Sequence, residues 1–289
     1  MSTYLELKGG NVKRVDSDPA NPEIGQVWYN DTTNQIKVRT TAVAAWASGG
    51  ALNLARRGQG SAGTQTAGLA FGGTPPPNGN NVSEEYDGSS WTSAPNLNKA
   101  RNGCATSIGT QTAALIHGGY DNANPLAGRT ETEEFNGTSW SEQSDLSTGR
   151  AHGGSGGTQT AGIYFCGETT NAGTFNTRCP NTTEEYDGSS WSGGGTVPGN
   201  FTRLNGSCLQ TACFRIGGAS PSVVSTTDYY NGSSWASAAA LGSAQNWASS
   251  GGTGANDSII GGGRGSSSYT SVTQEYTNPL LTTRSVDVS

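Results

Sequence analysis

The chain contains the phrase Glu84-Glu85-Tyr86-Asp87-Gly88-Ser89-Ser90-Trp91 and repeats it three more times with small changes. A fifth copy, Gln274-Glu275-Tyr276, ends before its tryptophan. Successive tryptophans from Trp46 to Trp235 lie 44 to 51 residues apart, a period typical of four-stranded propeller blades. The other complete copies of the phrase are Glu133–Trp140, Glu184–Trp191 and Asp228–Trp235.

Each repeat contains pieces with the chemistry of strands and turns. An apolar run that ends in glycine, such as Ala67–Gly73, predicts a buried strand leading into a turn. Asp-Gly or Asn-Gly separates the Tyr and Trp strands in four of the five units, which predicts a tight hairpin with positive φ at both central residues. An earlier stretch rich in Gly, Ser and Thr, such as Gly58–Gly63, predicts an innermost strand where crowded blades require small side chains.

A Gly-Gly pair followed by Glu-x-Tyr-Asp and then Trp, once in roughly 50 residues, resembles the kelch repeat. The resemblance covers Val43 to Pro279 in five copies and implies an all-β fold, a five-bladed kelch-like β-propeller. A low-complexity array without a packed core is the alternative, and the regularly spaced aromatic residues argue against it. The chain departs from the kelch pattern in its short link to the Trp, in Cys166 at the first glycine of the third pair, and in the missing fifth Trp.

The missing tryptophan predicts how the ring closes. Trp46 precedes the first unit and no Trp follows the last, so we expect Val43–Trp46 to pair with the strand around Tyr276. Such pairing removes a free sheet edge, which would otherwise invite other chains. The predicted domains are an attachment segment over residues 1–40, a propeller over 41–279 and a polar tail over 280–289.

The N-terminal segment has its own pattern. Gln26–Tyr29 and Gln35–Arg39 predict two strands around a polar turn. The phrase Pro-x-x-Gly-x-x-Trp-Tyr-Asn with its Thr-Asn turn resembles attachment segments of bacteriophage tail-fibre and other virion proteins. A packing hairpin of no special purpose is the alternative. The resemblance implies that four side chains contact other virion proteins: Trp28, Tyr29, Ile36 and Val38.

Composition limits the partners. The chain has 44 Gly, 32% hydrophobic and 13% charged residues, with 16 Lys and Arg against 22 Asp and Glu. With more acidic than basic residues, the chain does not offer the basic surface that nucleic acids and anionic membranes require. We therefore expect neither nucleic-acid binding nor membrane insertion. The start, Met1–Lys8, has no apolar core of signal-peptide length, so we expect no secretion by that route. The five cysteines have no metal-like spacing and are interpreted mostly as buried thiols, with the redox state of the pair Cys166 and Cys179 left open.

The residues do not favour an enzyme. The two histidines, His117 and His152, lie in different parts of their repeats, so we predict no metal and no cofactor; His117 packs near a blade turn and His152 faces a loop. The glutamates recur at equivalent places on successive blades, which indicates a structural role. We expect the first of each pair to bond backbone or Arg groups and its neighbour to face the other side.

The arginines are the preferred binding candidates. Those at closely similar places before the small-residue strand could ring the mouth of the channel and bind carboxylates, phosphates or sulfated sugars in bidentate fashion. The alternative is that each Arg pairs with a repeated Glu of its own or a neighbouring blade. The fourth candidate is shifted by two positions, and Gln245 occupies the place in the fifth unit. The four are Arg56, Arg101, Arg150 and Arg203.

The connections before the Glu-Glu strands differ most between copies. Because recognition usually resides in loops on a rigid frame, we expect Tyr120 and Phe175 to stack on a sugar ring. The alternative is that these loops hold ordinary polar residues without a role in recognition.

These observations predict a non-enzymatic virion structural protein, assembled in the host cytoplasm and present in multiple copies per particle. Its propeller would recognise a host-surface glycan, as part of a phage fibre or appendage. One alternative is a capsid or tail decoration protein that binds only viral neighbours. A weaker alternative is an enzyme acting on polysaccharide.

Overall fold

The structure is a computed structural model. It describes residues 12–21, 23, 26–38, 48–74, 80–103, 108–120, 127–169, 174–254, 257–266 and 268–277. The chain divides into two compact units, Met1–Ser48 and Gly49–Ser289. The predicted boundary between residues 40 and 41 lies outside the described residues. The predicted tail over residues 280–289 lies outside the described residues.

The described residues of the N-terminal unit form a three-stranded sheet. Strand β2 (Val27–Asn30) pairs antiparallel with β3 (Gln35–Val38), which confirms the predicted hairpin. Strand β1 (Lys13–Val15) pairs parallel to β2 and was not predicted. Its sequence is short and charged, so it carries no alternating apolar signal.

The second unit contains five antiparallel sheets, one for each repeat, an all-β architecture consistent with a β-propeller. We call these sheets blades 1 to 5 in chain order.

Blade 1 consists of β4 (Gly60–Thr64), β5 (Ala67–Phe71), β6 (Ser83–Tyr86) and β7 (Trp91–Ala94). Blade 2 consists of β8 (Ile108–Thr110), β9 (Ala113–His117), β10 (Thr132–Phe135) and β11 (Trp140–Gln143). Blade 3 consists of β12 (Gly154–Thr158), β13 (Ala161–Phe165), β14 (Thr183–Tyr186) and β15 (Trp191–Gly193), with one helical turn, α1 (Phe175–Arg178), between β13 and β14. Blade 4 consists of β16 (Asn205–Leu209), β17 (Ala212–Ile216), β18 (Thr227–Tyr230) and β19 (Trp235–Ser237). The described strands of blade 5 are β20 (Ser249–Gly254), β21 (Asp257–Gly261) and β22 (Thr273–Thr277).

The first strands of successive blades lie against one another, from β4 through β8, β12 and β16 to β20. Their small residues permit this approach. A Cβ added to Gly156 of β12 would overlap the Cβ of Cys208 in β16. This explains the Gly- and Ser-rich composition of the first strands, as the sequence predicted.

Aromatic side chains fill the space between neighbouring blades. Trp140 of blade 2 packs on Phe71 of blade 1, with ring centroids 5.0 Å apart. Trp235 of blade 4 packs in the same way on Phe165 of blade 3, at 4.8 Å. Each of these tryptophans therefore belongs to the core between two blades.

The hairpin between the last two strands forms as predicted, but its turn differs. Only the glycine has positive φ, for example 95° at Gly88, because the link is four residues long. Asp87 stabilises that link by accepting bonds through Oδ1 from the N–H groups of Ser89 and Ser90, both at 2.8 Å. These bonds favour the carboxylate and hold the pKa of Asp87 well below its usual value.

Blade 5 has three described strands, and the strand predicted to complete it, Val43–Trp46, lies outside the described residues.

The sequence analysis interpreted the cysteines mostly as buried thiols, but two of them are bonded to each other. Cys208 and Cys213 face each other across the β16–β17 ladder and form a disulfide. Cys166 and Cys179, the pair left open, are both free and buried. Burial raises the pKa of the Cys166 thiol to about 12. Sequence spacing did not reveal the disulfide because the register of two paired strands brings its cysteines together.

Candidate functional site

The arginines of the first three repeats lie inside their blades. Their side chains are fully buried, and each donates from Nη2 to Oε1 of the first glutamate of its repeat at 2.6 to 3.0 Å. The structure therefore corrects the expectation that these groups line a channel mouth. A buried guanidinium requires a counter-charge, and the repeated glutamate supplies it. The pairs are Arg56–Glu84, Arg101–Glu133 and Arg150–Glu184.

The second glutamates face the other side of the strand, as predicted. Glu134 accepts a hydrogen bond from the hydroxyl of Tyr186 in the next blade at 2.9 Å. Glu185 accepts the corresponding bond from Tyr230 at 2.7 Å. Burial and the Glu185 carboxylate together raise the pKa of Tyr230 to about 12. Both glutamates of a repeat are thus structural.

Arg203 occupies a different place from the buried arginines. It belongs to a set of five equivalent residues just ahead of the first strand of each blade, all with φ between 53° and 64°. Three of them donate their backbone N–H to the carbonyl of the preceding member, at 2.8 to 3.3 Å. The set is Gly58, Gly103, His152, Arg203 and Trp247.

This backbone conformation favours glycine, which blades 1 and 2 use. His152, Arg203 and Trp247 adopt it with large side chains, at a cost of order 1 kcal/mol each. Residues held in this way cluster at functional sites. The side chains of these three residues are therefore candidates for a functional site.

The three side chains meet at one end of the blades. The rings of His152 and Trp247 lie 4.6 Å apart between centroids, in an edge-to-face arrangement. The guanidinium of Arg203 lies 5.5 Å from the centroid of the Trp247 ring. Tyr120 packs on the other side of His152, with centroids 5.1 Å apart.

A buried carboxylate orients the histidine. Nδ1 of His152 lies 2.7 Å from Oε1 of Glu168. Burial opposes ionisation of Glu168, but the bond to His152 and the charge of Arg203 outweigh it, so the pKa of Glu168 is lowered. Tyr120 is also buried, and burial together with the Glu168 carboxylate raises its pKa. Oε1 of Glu168 is thus engaged by His152.

His152 and Trp247 border a cavity of about 590 Å³, a size typical of ligand pockets. A second cavity of about 380 Å³ is lined by Arg203, Asn246 and Arg264, among other residues. Arg264 lines both cavities. We call the two cavities together the mouth site. The larger one is lined by Arg57, Gly58, Thr74, Asn102, Gly103, His152, Trp247, Arg264 and Tyr269.

Residue types at the mouth site differ between repeats, whereas the scaffold residues recur. The position after the Gly-Gly pair is different in every blade: Thr74, Tyr120, Glu168, Ala219 and Arg264. The position before the positive-φ residue holds four residue types in the five blades, with Asn in blades 2 and 5: Arg57, Asn102, Ala151, Thr202 and Asn246. Sequence reasoning named Arg203 and Tyr120 among its candidates but not Trp247, Arg57 or Arg264. The two-residue shift of Arg203 was the signal that marked the position.

The two predicted stacking residues have different surroundings. Tyr120 supports His152 at the edge of the mouth site and is itself 6% exposed. Phe175 begins the helical turn α1, where the guanidinium of Arg178 lies 5.8 Å from its ring centroid. The described lining of the mouth site does not include Phe175.

The predicted attachment residues lie on the sheet of the N-terminal unit. Trp28 is buried and donates from Nε1 to Oδ1 of Asp18 at 2.9 Å. Tyr29 is half-buried. Ile36 and Val38 are 71% and 52% exposed, so they present apolar surface to solvent.

Across the described ranges, no group of three or more His, Cys, Asp or Glu side chains is arranged to hold a metal ion. No helix in the described part of the chain is long and apolar enough to cross a membrane.

Comparison with protein-family models finds no match to this chain, and comparison with curated proteins finds none either.

Proposed function

We propose that this protein is a non-enzymatic virion structural protein whose β-propeller recognises a host-surface glycan as part of a phage fibre or appendage. The observation that carries the recognition role is the mouth site, where His152, Arg203 and Trp247 accept backbone strain to meet around a cavity. The resemblance of the N-terminal phrase to tail-fibre attachment segments supports the virion role.

The chemistry of the mouth site suits a sugar. Trp247 is 48% exposed and Tyr269 is 87% exposed, so both rings offer apolar faces for stacking. Asn102 and Arg57 add polar groups at the wall of the same cavity. A ligand site of this kind combines apolar area with a few placed polar groups.

The test is binding of host-surface polysaccharide by Trp247→Gly. Glycine fits this backbone conformation, since Gly58 and Gly103 hold the equivalent positions, so the variant should fold normally. We expect at least a tenfold loss of affinity with an unchanged melting temperature. The matched control is Leu209→Ser, because Leu209 is exposed at the opposite end of β16. Equal binding by both variants and the wild type would reject this site.

We further propose that the five sheets form a closed five-bladed kelch-like propeller and that Val43–Trp46 supplies the fourth strand of blade 5. A cavity of about 200 Å³ beside β22 is lined by Ile216, Thr227 and Tyr276, among other residues. In blades 3 and 4 the tryptophan sits at the equivalent place. Trp235, for example, packs on Phe165 and Tyr230 and donates to the hydroxyl of Thr183 at 2.9 Å.

Closure is tested by Trp46→Ala. If Trp46 fills this cavity, its removal lowers stability by about 3–5 kcal/mol, as for a core tryptophan. The control is Ile36→Ser, which changes an exposed side chain and should alter the melting temperature little. A Trp46→Ala variant as stable as the control would contradict closure by this strand.

The N-terminal unit would supply attachment to other virion proteins through the apolar surface of Ile36 and Val38. The double variant Ile36→Asp with Val38→Asp should fold, since both side chains are exposed, but should be absent from purified particles. The same variant of purified protein should bind polysaccharide as the wild type does. Normal incorporation into particles would reject the attachment role of this surface.

A further inference from the structure

We propose that the mouth site takes an acidic saccharide, with the anionic group of the ligand against Arg203, Arg264 and Arg57 and a sugar ring on Trp247. This inference rests on the proposed glycan recognition and names the ligand class of the same site.

The first argument is charge. None of the described residues that line the two cavities is acidic, whereas three are arginines. Among the described residues, Arg57, Arg203 and Arg264 form no ion pair. Five arginines elsewhere in the blades do form ion pairs: Arg56, Arg101, Arg129, Arg150 and Arg215. No acidic residue in the described lining of the mouth site therefore balances its three arginines, in a protein whose net charge is −6.

The second argument concerns the nearby acid. Glu168 is 2% exposed and lies 2.7 Å from Nδ1 of His152. Oε1 of its carboxylate is therefore engaged by the histidine. Glu168 is not among the described residues that line either cavity.

The third argument is the position of the arginines relative to the rings. The guanidinium of Arg203 lies over Trp247, and Arg264 lines both cavities. Arg57 lies on the wall of the larger cavity. A sugar stacked on Trp247 would therefore place an anionic substituent within reach of these guanidinium groups.

Guanidinium binds carboxylate, sulfate and phosphate oxygens through the same paired N–H donors. The shared chemistry of the ligand is therefore an anionic oxygen group on a sugar. Uronic acids carry it as a carboxylate, and teichoic acids carry it as a phosphodiester. The experiment separates these two sources.

The test uses the full-length protein and a panel of purified bacterial surface polysaccharides. The panel contains uronic-acid polymers, the same polymers after chemical reduction of their carboxyl groups to alcohols, and phosphodiester-bearing teichoic acids. The variants are Arg203→Gln and Arg264→Gln, with Trp247→Gly to mark the site. The matched control is Lys99→Gln, which removes an exposed positive charge that lines neither cavity.

We expect at least one acidic polymer to bind, and each arginine variant to weaken its binding about tenfold or more, the usual effect of losing a charged hydrogen bond. Lys99→Gln should change affinity less than about twofold, the size expected for an exposed charge. Loss of binding on carboxyl reduction identifies the carboxylate as the anionic group. Arginine-dependent binding of the teichoic acids alone identifies the phosphodiester.

Two results separate failure of this inference from failure of the proposed function. Binding that Trp247→Gly abolishes but that both arginine variants and carboxyl reduction leave unchanged would overturn the acidic ligand and leave glycan recognition standing. Binding by no member of the panel, or binding that Trp247→Gly does not affect, would overturn both.

Discussion

Gln274 donates from Nε2 to Oε1 of Gln245 at 2.8 Å, at the place where blades 1 to 3 hold a buried arginine–glutamate pair. Gln245 also donates to the carbonyls of Gly262 and Val272, at 3.1 and 3.0 Å. These carbonyls are equivalent to the two that Arg101 bonds in blade 2. A neutral pair thus repeats the hydrogen bonds of the charged pair.

This equivalence predicts that the charges of blade 2 are replaceable together but not singly. Glu133→Gln leaves the Arg101 guanidinium buried without its counter-charge, which should cost about 3–5 kcal/mol of unfolding free energy. Arg101→Gln with Glu133→Gln copies blade 5 and should recover most of that loss. Urea denaturation of the two single variants and the double variant measures the coupling. A double variant no more stable than Glu133→Gln would contradict the prediction.

Blade 4 also holds a buried arginine–carboxylate pair, but its arginine comes from a different position in the repeat. Phe201 occupies the arginine position, and Arg215 of β17 supplies the guanidinium, with Nε 2.5 Å from Oδ2 of Asp228. The guanidinium lies 3.8 Å from the centroid of the Phe201 ring. Blade 3 has Arg150, Tyr164 and Glu184 at the three corresponding positions.

We therefore expect Arg215→Tyr alone to cost about 3–5 kcal/mol, because Asp228 is left buried and unpaired. Adding Phe201→Arg and Asp228→Glu recreates the set of blade 3 and should restore most of the stability. Melting temperatures of the single and triple variants provide the measurement. If the triple variant melts no higher than the single one, the three positions are not interchangeable units.

His117 predicts a pH dependence of stability. It is fully enclosed between Tyr164 and Trp191, and burial, with the charges of Arg150 and Arg101, lowers its pKa to about 3 from 6.5. Because the unfolded chain takes up the proton first, this residue makes the fold less stable as pH falls from about 6.5 toward 3. The slope approaches about 1.4 kcal/mol per pH unit for one proton.

The control for this prediction is His117→Phe. Phe71 and Phe165 fill the equivalent positions of blades 1 and 3, so phenylalanine should fit. Denaturant titrations at pH 7 and pH 5 should show a smaller loss of stability on acidification for the variant than for the wild type. An identical loss in both proteins would assign the acid sensitivity to other groups.

The tryptophans should differ in their contribution. Trp140 is 6% exposed and packs on both Phe71 and Phe135, so Trp140→Ala should cost about 3–5 kcal/mol. Trp91 is only half-buried, with its ring 4.9 Å from that of Tyr86, and Trp91→Ala should cost roughly 1–2 kcal/mol. Chemical denaturation of the two variants compares them directly. Equal losses would show that burial does not set their contribution.

Much of the scaffold was predictable because its determinants lie within one repeat. Apolar runs closed by glycine indicated strands such as β5, and Asp-Gly and Asn-Gly marked the hairpins. The repeated first glutamate was correctly interpreted as structural, since identical acids on successive blades suit one shared role. These features depend on strand alternation and turn chemistry, which are local properties of the chain.

The candidate site was not predictable in the same way. The positions of the repeated arginines in the sequence predicted a channel mouth. Their side chains instead lie inside the blade, where they donate hydrogen bonds to backbone carbonyls and a glutamate. Arg57 and Trp247 line one cavity although 190 residues separate them. No local pattern relates such residues.

Periodicity along the chain was enough to predict the repeat, the order of the strands within a blade and the residues that recur in each core. The residues that do not recur are brought together by the packing of the blades, which periodicity does not describe. His152, Arg203 and Trp247 meet because equivalent backbone positions of successive blades are hydrogen-bonded to one another. Cys208 and Cys213 meet because strand pairing sets their register. The physical reason is the same in both cases: side chains interact over a few ångströms of space, and the packing of blades sets those distances.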